Sequence, residues 1–337
     1  MTLSLPNFAV ARPRDIESAV AARQQESSSL FLAGGTDLIA NLRLGIGSPK
    51  LLIDLSAIDL LREKSFAASG VRIGVGTSLM ELAEMPVIRQ RYRALAEAAD
   101  AVASPTTRSI ATIGGNLCLQ TRCIYYNQSK WWRRANQYCL KHGGDVCHVA
   151  PQGQRCHAAF SGDLAPALMV LDAEIEIAGG NGQRRRVKLS DFYREDGRAH
   201  LTLGTDEILT CVHLPCDPPR SSYSKARVRG AIDFPLAGVA VALAINGEIL
   251  TQLRVGITGT NSRPFLLQGA DALCGRPLDD KASHDLEMLV QKQVQPMRTT
   301  TISAHYRRLA AAALVRRLTT ALASAPDTAN ENDRNSR

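Results

Sequence analysis

Four cysteines, Cys123, Cys139, Cys147 and Cys156, stand 16, 8 and 9 positions apart in one stretch of the chain. Thiolates gathered in this way can bind a soft metal, carry an iron–sulfur cluster or pair as disulfides. The same stretch holds both tryptophans, Trp131 and Trp132, with Tyr125, Tyr126 and Tyr138. It also holds or adjoins the cations Arg122, Lys130, Arg133, Arg134, Lys141 and Arg155. So dense an aromatic supply argues for a packed segment rather than a disordered one. The N-terminus MTLSLPNFAVARPRD lacks the basic start and apolar run of a secretory signal, and no apolar stretch is long enough to span a bilayer. The expectation is a cytoplasmic protein, where structural disulfides are rare. A zinc site would show ligands paired at short spacing, which this stretch lacks. A cluster tolerates wider spacing, and plain apolar packing is the third possibility.

The remaining thiols and histidines have quieter expectations. Cys118 reads as a buried thiol beside a glycine loop. His148 and His157 each follow a cysteine directly and read as neighbours of the centre or surface groups rather than ligands. Cys211, Cys216 and Cys274 are dispersed and read as apolar filling.

Two diglycine stretches offer a second kind of chemistry. FLAGGTDL sets Ala33, Gly34, Gly35, Thr36 and Asp37 between a strand-like and a helix-like run, and ATIGGNL does the same with Thr112, Gly114, Gly115 and Asn116. Without a Cβ, such backbone can bring N–H groups close to a phosphate, and Thr112 and Asn116 could add side-chain donors. Neither is a GxGxxG fingerprint, so a nicotinamide-type Rossmann site is not indicated. In SGDLAPAL, Asp163 precedes a helix, where it can cap the helix or accept hydrogen bonds from ribose hydroxyls.

The elements that must carry these groups alternate between short apolar runs and helical patterns, which points to mixed α/β structure. A helix is expected over 13–25, opening at Pro13, followed by a buried strand over 29–33 and a helix over LIANLRLG. LLIDL (51–55) and VRIGVG (71–76) read as strands, and the run from Ser78 to Val102 as helices broken at Pro86. After the cysteines come a helix in GDLAPALMVLDA and strands over 173–179 and 207–215. CDPPR (216–220) reads as a linker, followed by two strands joined by a tight NGE turn and a final helix with Val315, Leu318 and Leu322 on one face. The tail from Asp327 lacks apolar residues and reads as disordered. Net charge is +8 with a pI near 9.2. The cations are scattered apart from RRRVK (184–188), so a solvated face meeting an acidic partner is expected rather than nucleic acid or membrane.

The order AGGTD, TIGGN and GDLAPAL resembles the flavoprotein subunits of the xanthine dehydrogenase family of molybdenum hydroxylases, over nearly the whole chain. The resemblance implies an α+β fold: a two-lobed FAD-binding domain of the PCMH type over 1–217, a smaller α+β domain of the CO dehydrogenase flavoprotein C-terminal type over 218–325, and a tail over 326–337. It implies that Ala33, Gly34, Gly35, Thr36 and Asp37 wrap the FAD pyrophosphate from one side and Thr112, Gly114, Gly115 and Asn116 from the other. Asp163 would contact the adenosine end, and Ile208, Leu209 and Lys225 would lie near the flavin. The cysteine stretch is an insertion of about 40 residues relative to the family pattern, at about 118–158, and resembles the β subunits of 4-hydroxybenzoyl-CoA reductases. That likeness implies a [4Fe–4S] cluster on Cys123, Cys139, Cys147 and Cys156. It implies electrons arriving from ferredoxin and passing through FAD and a small subunit with two [2Fe–2S] clusters to a large molybdenum-cofactor subunit, for reductive dehydroxylation to benzoyl-CoA. Catalytic acids or bases are not expected on this chain. A flavin subunit of another molybdenum hydroxylase and a zinc-stabilised interaction module are the alternative expectations.

Overall fold

A computed structural model describes residues 4–180 and 182–325. The expected disorder over 326–337 lies outside the described residues. The N-terminal part builds a parallel three-stranded sheet in the order Ala9–Ala11, Leu51–Asp54, Ser29–Leu32. The helices Ile16–Gln25 and Leu38–Arg43 join its strands. The first helix begins after Asp15, whose carboxylate accepts from the Ser18 amide at 2.7 Å, rather than at Pro13 as expected. A carboxylate cap satisfies an otherwise unpaired amide, which a proline start cannot do. Ser29–Leu32 buries only Ser29, with Leu30 exposed and Phe31 and Leu32 half-buried, because it is an edge strand of a small sheet.

The second sheet is wholly antiparallel, in the order Lys64–Ala67, Gly70–Gly74, Glu207–Pro215, Glu174–Gly179, Arg184–Lys188. Ile73, Ile175, Ile177, Val212 and Leu214 fill one face of it. The other face explains the RRRVK run: Arg184 pairs with Glu176 at 3.0 Å, Arg186 with Glu174, and Lys188 with Asp172. Cross-strand carboxylates neutralise that run, so it is a solvated sheet face. The helical stretch that packs on the core breaks twice, giving Leu79–Glu84, Pro86–Arg91 and Arg93–Ala101. Pro86 opens the second of these helices, and Tyr92, fully buried, occupies the second break.

The third sheet, Phe265–Leu266, Ile249–Thr258, Ala237–Asn246 and Arg220–Ala226, is also antiparallel. The turn between its two long strands uses Gly247 at φ +62°, as a tight hairpin requires. Along Ala237–Asn246 alternate residues serve different cores. Val239, Val241 and Leu243 face the helices Asp280–Gln293 and Ala304–Ala323, and Ala240 and Ala242 face the first part of the chain. The architecture is α+β: strand–helix–strand alternation yields a parallel sheet only at the N-terminus, and hairpin connections dominate elsewhere. Among the described residues, no helix is long and apolar enough to cross a membrane.

Candidate cofactor-binding site

The two diglycine stretches meet. The loop from Ala33 to Asp37 runs from Ser29–Leu32 into Leu38–Arg43, and a methyl on Gly34 would overlap the Ile110 carbonyl. Ile110 leads into the second stretch, where Thr112 caps the short helix Ile113–Leu117 by accepting from the Gly115 amide at 3.1 Å. Gly35 takes a positive φ of +71°, which turns the chain into its helix. Gly114 sits against Val75, donating its amide to the Val75 carbonyl at 2.9 Å. Two backbone loops thus border one surface at close quarters. Ile110, 55% exposed, stands between them, and Phe234, 44% exposed, lies across from Asp37 under the Arg122 guanidinium at 4.5 Å. Bare backbone beside exposed apolar side chains fits a ligand with phosphates at one end and a flat ring system at the other.

The third motif packs on the second through buried side chains. Asn116 is buried, and its side-chain oxygen accepts from the Leu164 amide at 3.1 Å, so it starts the helix Leu164–Val170. Asp163 does not cap that helix. Its Oδ1 accepts from the Tyr223 hydroxyl at 2.6 Å and from the Lys225 ammonium at 2.9 Å. Lys225 also donates to the Asp233 carbonyl at 3.1 Å. Burial pushes the Asp163 carboxyl upward and the Lys225 charge opposes it. At 3% exposure with two donors on one oxygen, Asp163 links the first part of the chain to the third sheet. Lys225, expected near the flavin, is the other half of that link. Ile208 and Leu209 are core residues of Glu207–Pro215, paired with Ala178 and Ile177.

The cysteine segment leaves the second loop and returns through an antiparallel bridge between Arg122 and Ala159. Its one α-helix, Lys130–Ala135, is capped by Ser129. Cys123, Cys139, Cys147 and Cys156 are all buried and line a single cavity together with Tyr125, Tyr126 and Lys141. Cys118 stands outside that lining, where burial pushes its thiol up to about 12. His148 reaches the cavity wall and is tied to the Tyr138 carbonyl at 2.6 Å. Cys147 and Cys156 share a hydrogen bond that holds Cys147 below the usual thiol range and Cys156 above it, and burial pushes Cys123 up to about 11. Among the described residues, only Glu176, Cys211 and His213 bring three metal-binding atoms within 4.8 Å of one another. That trio lies on the charged sheet face with Arg184 already on Glu176. No three of the cavity sulfurs therefore lie that close together, although Cys147 and Cys156 touch.

Three cations that motif reasoning left unassigned hold this region. Arg133 is 1% exposed and donates to the carbonyls of Gln128, Gly45 (2.8 Å) and Leu44 (3.3 Å), tying the segment to the end of the helix that starts at Asp37. Arg122 forms an ion pair with Asp37 itself. Lys141 donates to the Thr121 carbonyl at 3.0 Å and lies 4.5 Å from the centre of the Tyr126 ring; burial holds its ammonium down to about 8 while nearby cysteines pull it back up. Basic residues beside cysteines were the only sequence signal for these contacts. Their partners are mostly backbone carbonyls, which carry no motif.

Paired glycine loops on this α+β frame define a flavin-binding protein. Residues 6–217 match the model of the FAD binding domain in molybdopterin dehydrogenase, and residues 221–322 match the CO dehydrogenase flavoprotein C-terminal domain. The chain is an FAD-binding subunit of the xanthine dehydrogenase and CO dehydrogenase family of molybdenum hydroxylases, to which it belongs over most of its length. It is 31% identical over 282 residues to the aldehyde oxidoreductase FAD-binding subunit PaoB of Escherichia coli (strain K12), covering 79% of this chain and 85% of that one. It is 27% identical over 283 residues to the carbon monoxide dehydrogenase medium chain of Hydrogenophaga pseudoflava, covering 82% of this chain and 83% of that one. The structure of reconstituted CO dehydrogenase from Oligotropha carboxidovorans superposes with a TM-score of 0.77 at 22% identity, over 95% of this chain and 99% of that one.

Proposed function

We propose that this chain is the electron-transfer subunit of a molybdenum hydroxylase complex, holding FAD at its two diglycine loops and a [4Fe–4S] cluster at Cys123, Cys139, Cys147 and Cys156. The observation that carries the second half is the shared cavity: four thiols from a 34-residue stretch with no other evident purpose converge on one buried space. Thiolates around a single tetrahedral zinc would sit roughly 3.8 Å apart, given Zn–S bonds of about 2.3 Å. No three of the cavity sulfurs come within 4.8 Å of one another, which supports a cluster, in which each thiolate holds a different iron, over one zinc. Bound FAD would supply a carrier that exchanges electrons singly or in pairs, and a cluster would supply one that exchanges them singly. The protein's own part is to fix both sites in one frame. Ala33, Gly34, Gly35, Thr36 and Asp37, with Thr112, Gly114 and Gly115, offer backbone to the pyrophosphate; Arg122 locks the cysteine segment onto the first of those loops at Asp37, and Arg133 onto the end of the helix that follows it. A large molybdenum-cofactor subunit and a small subunit with two [2Fe–2S] clusters would complete the assembly.

For the substrate, the cysteine insertion supports the reading of a 4-hydroxybenzoyl-CoA reductase fed by ferredoxin. The similarity to an aldehyde oxidoreductase subunit supports a second reading, in which electrons leave an aldehyde and flow outward. Assaying the complex anaerobically with each substrate separates them: dehydroxylation of 4-hydroxybenzoyl-CoA with reduced ferredoxin carries the first, and aldehyde oxidation without it carries the second. On the chain itself, Cys139→Ser should abolish iron binding and leave flavin content unchanged. Simultaneous loss of both cofactors would mean that the cysteine segment is scaffold for the FAD site.

A further inference from the structure

Lys141 is a charge placed toward the four-cysteine cavity, and among the described residues no carboxylate pairs with it. Its partners are neutral: the Thr121 carbonyl and hydroxyl, and the Tyr126 ring. Thr121 is itself buried and donates to the Gly197 carbonyl at 2.5 Å, so the ammonium's support is fixed from behind. The other charged group facing it is the Arg122 guanidinium, already paired with Asp37. An ammonium in such surroundings is costly unless an anion lies close. The groups able to become that anion are the cavity cysteines, which Lys141 lines alongside.

We propose that Lys141 is a positioning residue that balances the charge of the four-cysteine centre and raises its reduction potential. The inference rests on the reading above that an iron–sulfur cluster occupies the cavity. Four thiolates outweigh the positive charge of the iron–sulfur core, so the centre is anionic. Taking up one electron from a reductant adds one further negative charge, with no bond made or broken. A fixed ammonium beside the cavity favours the more negative state, and low surrounding polarity strengthens the effect. A centre raised in this way accepts electrons readily from within the protein and passes them poorly toward the low-potential reduction of an aromatic ring. The placement therefore sides with outward electron flow, the direction the aldehyde reading needs.

The test compares the full chain, purified without oxygen with its FAD, with Lys141→Met and Lys141→Arg. Iron and flavin are counted, and the centre is titrated with dithionite while its visible absorbance and paramagnetic signal are followed. Lys141→Met should shift the one-electron reduction equilibrium at least tenfold toward the oxidised form, which is about 59 mV; Lys141→Arg should stay near the parent. Loss of iron in Lys141→Met alone, with flavin kept and iron kept in Lys141→Arg, would equally support charge balance. An unchanged potential in an iron-loaded Lys141→Met, or loss of iron in both variants, would overturn the role of Lys141. A parent protein that binds flavin but no iron would overturn the cluster reading, and this inference with it.

Discussion

The flavin loops and the cysteine segment lie side by side but are held by different forces. The loops depend on close backbone approach: Gly34 against Ile110, Gly114 against Val75, Thr112 capping its own helix. Nothing there is charged except Asp37. The cysteine segment has almost no regular structure, and buried cations reaching backbone carbonyls stitch it together. Its apolar core is small, made by Ile46, Tyr126, Ala158 and three of the thiols, Cys123, Cys139 and Cys156. Small cores need an added centre to hold them. On the proposed reading, the first region receives a ligand on a finished surface, whereas the second is arranged around a cluster at its middle.

The sharpest way to break this contrast is at Gly34. Gly34→Ala would drive a methyl into the Ile110 carbonyl, and backbone cannot yield as a side-chain tip does. Complete loss of bound FAD is expected, with about 2–3 kcal/mol lost from stability, read by flavin content and a denaturant titration. Retained flavin would show that the loops need not approach so closely. Next comes Arg133→Met, which keeps the stem and removes the donors. Four carbonyls, of Tyr126, Gln128, Leu44 and Gly45, lose a buried partner, and the cysteine segment should open at a cost of about 3 kcal/mol while the flavin stays bound. Faster amide exchange confined to residues 123–156 would agree; an unchanged exchange pattern would not.

The smallest expected effect concerns pH. His200 is 4% exposed, and its ring bonds the Leu119 carbonyl at 2.9 Å, in the strand of chain between the glycine helix and the cysteines. Burial first, then the Lys141 charge, hold its pKa down to about 4. The unfolded chain takes up a proton at about pH 6.5 and the folded chain does not until about 4, so unfolding gains as pH falls through that window. Stability should decline by roughly 2–3 kcal/mol between those pH values on this account. His200→Gln should flatten that decline in a pH series of melting curves, and an identical slope would exclude His200 as its source.

Legibility in the sequence followed the same division. The glycine loops could be read because glycine reports a backbone constraint directly, and the three motifs in order carried the fold family. The four cysteines could be read as one group because their side chains can do little else when clustered. Asp163 was legible as a candidate site residue, but its partners Tyr223 and Lys225 were not, since they lie 60 or more residues away on another sheet. Asn116 likewise acts on a helix 48 residues downstream. Arg122, Arg133 and Lys141 were visible only as basic residues near cysteines. Which arginine is buried depends on carbonyls supplied by distant chain, and spacing does not encode that.

Counting iron, zinc and flavin in the full chain purified without oxygen tests the central claim most directly. The account predicts about four irons and one FAD per chain, with cysteine-ligated iron in the absorption and Mössbauer spectra. One zinc per chain, or flavin with no metal at all, would contradict it.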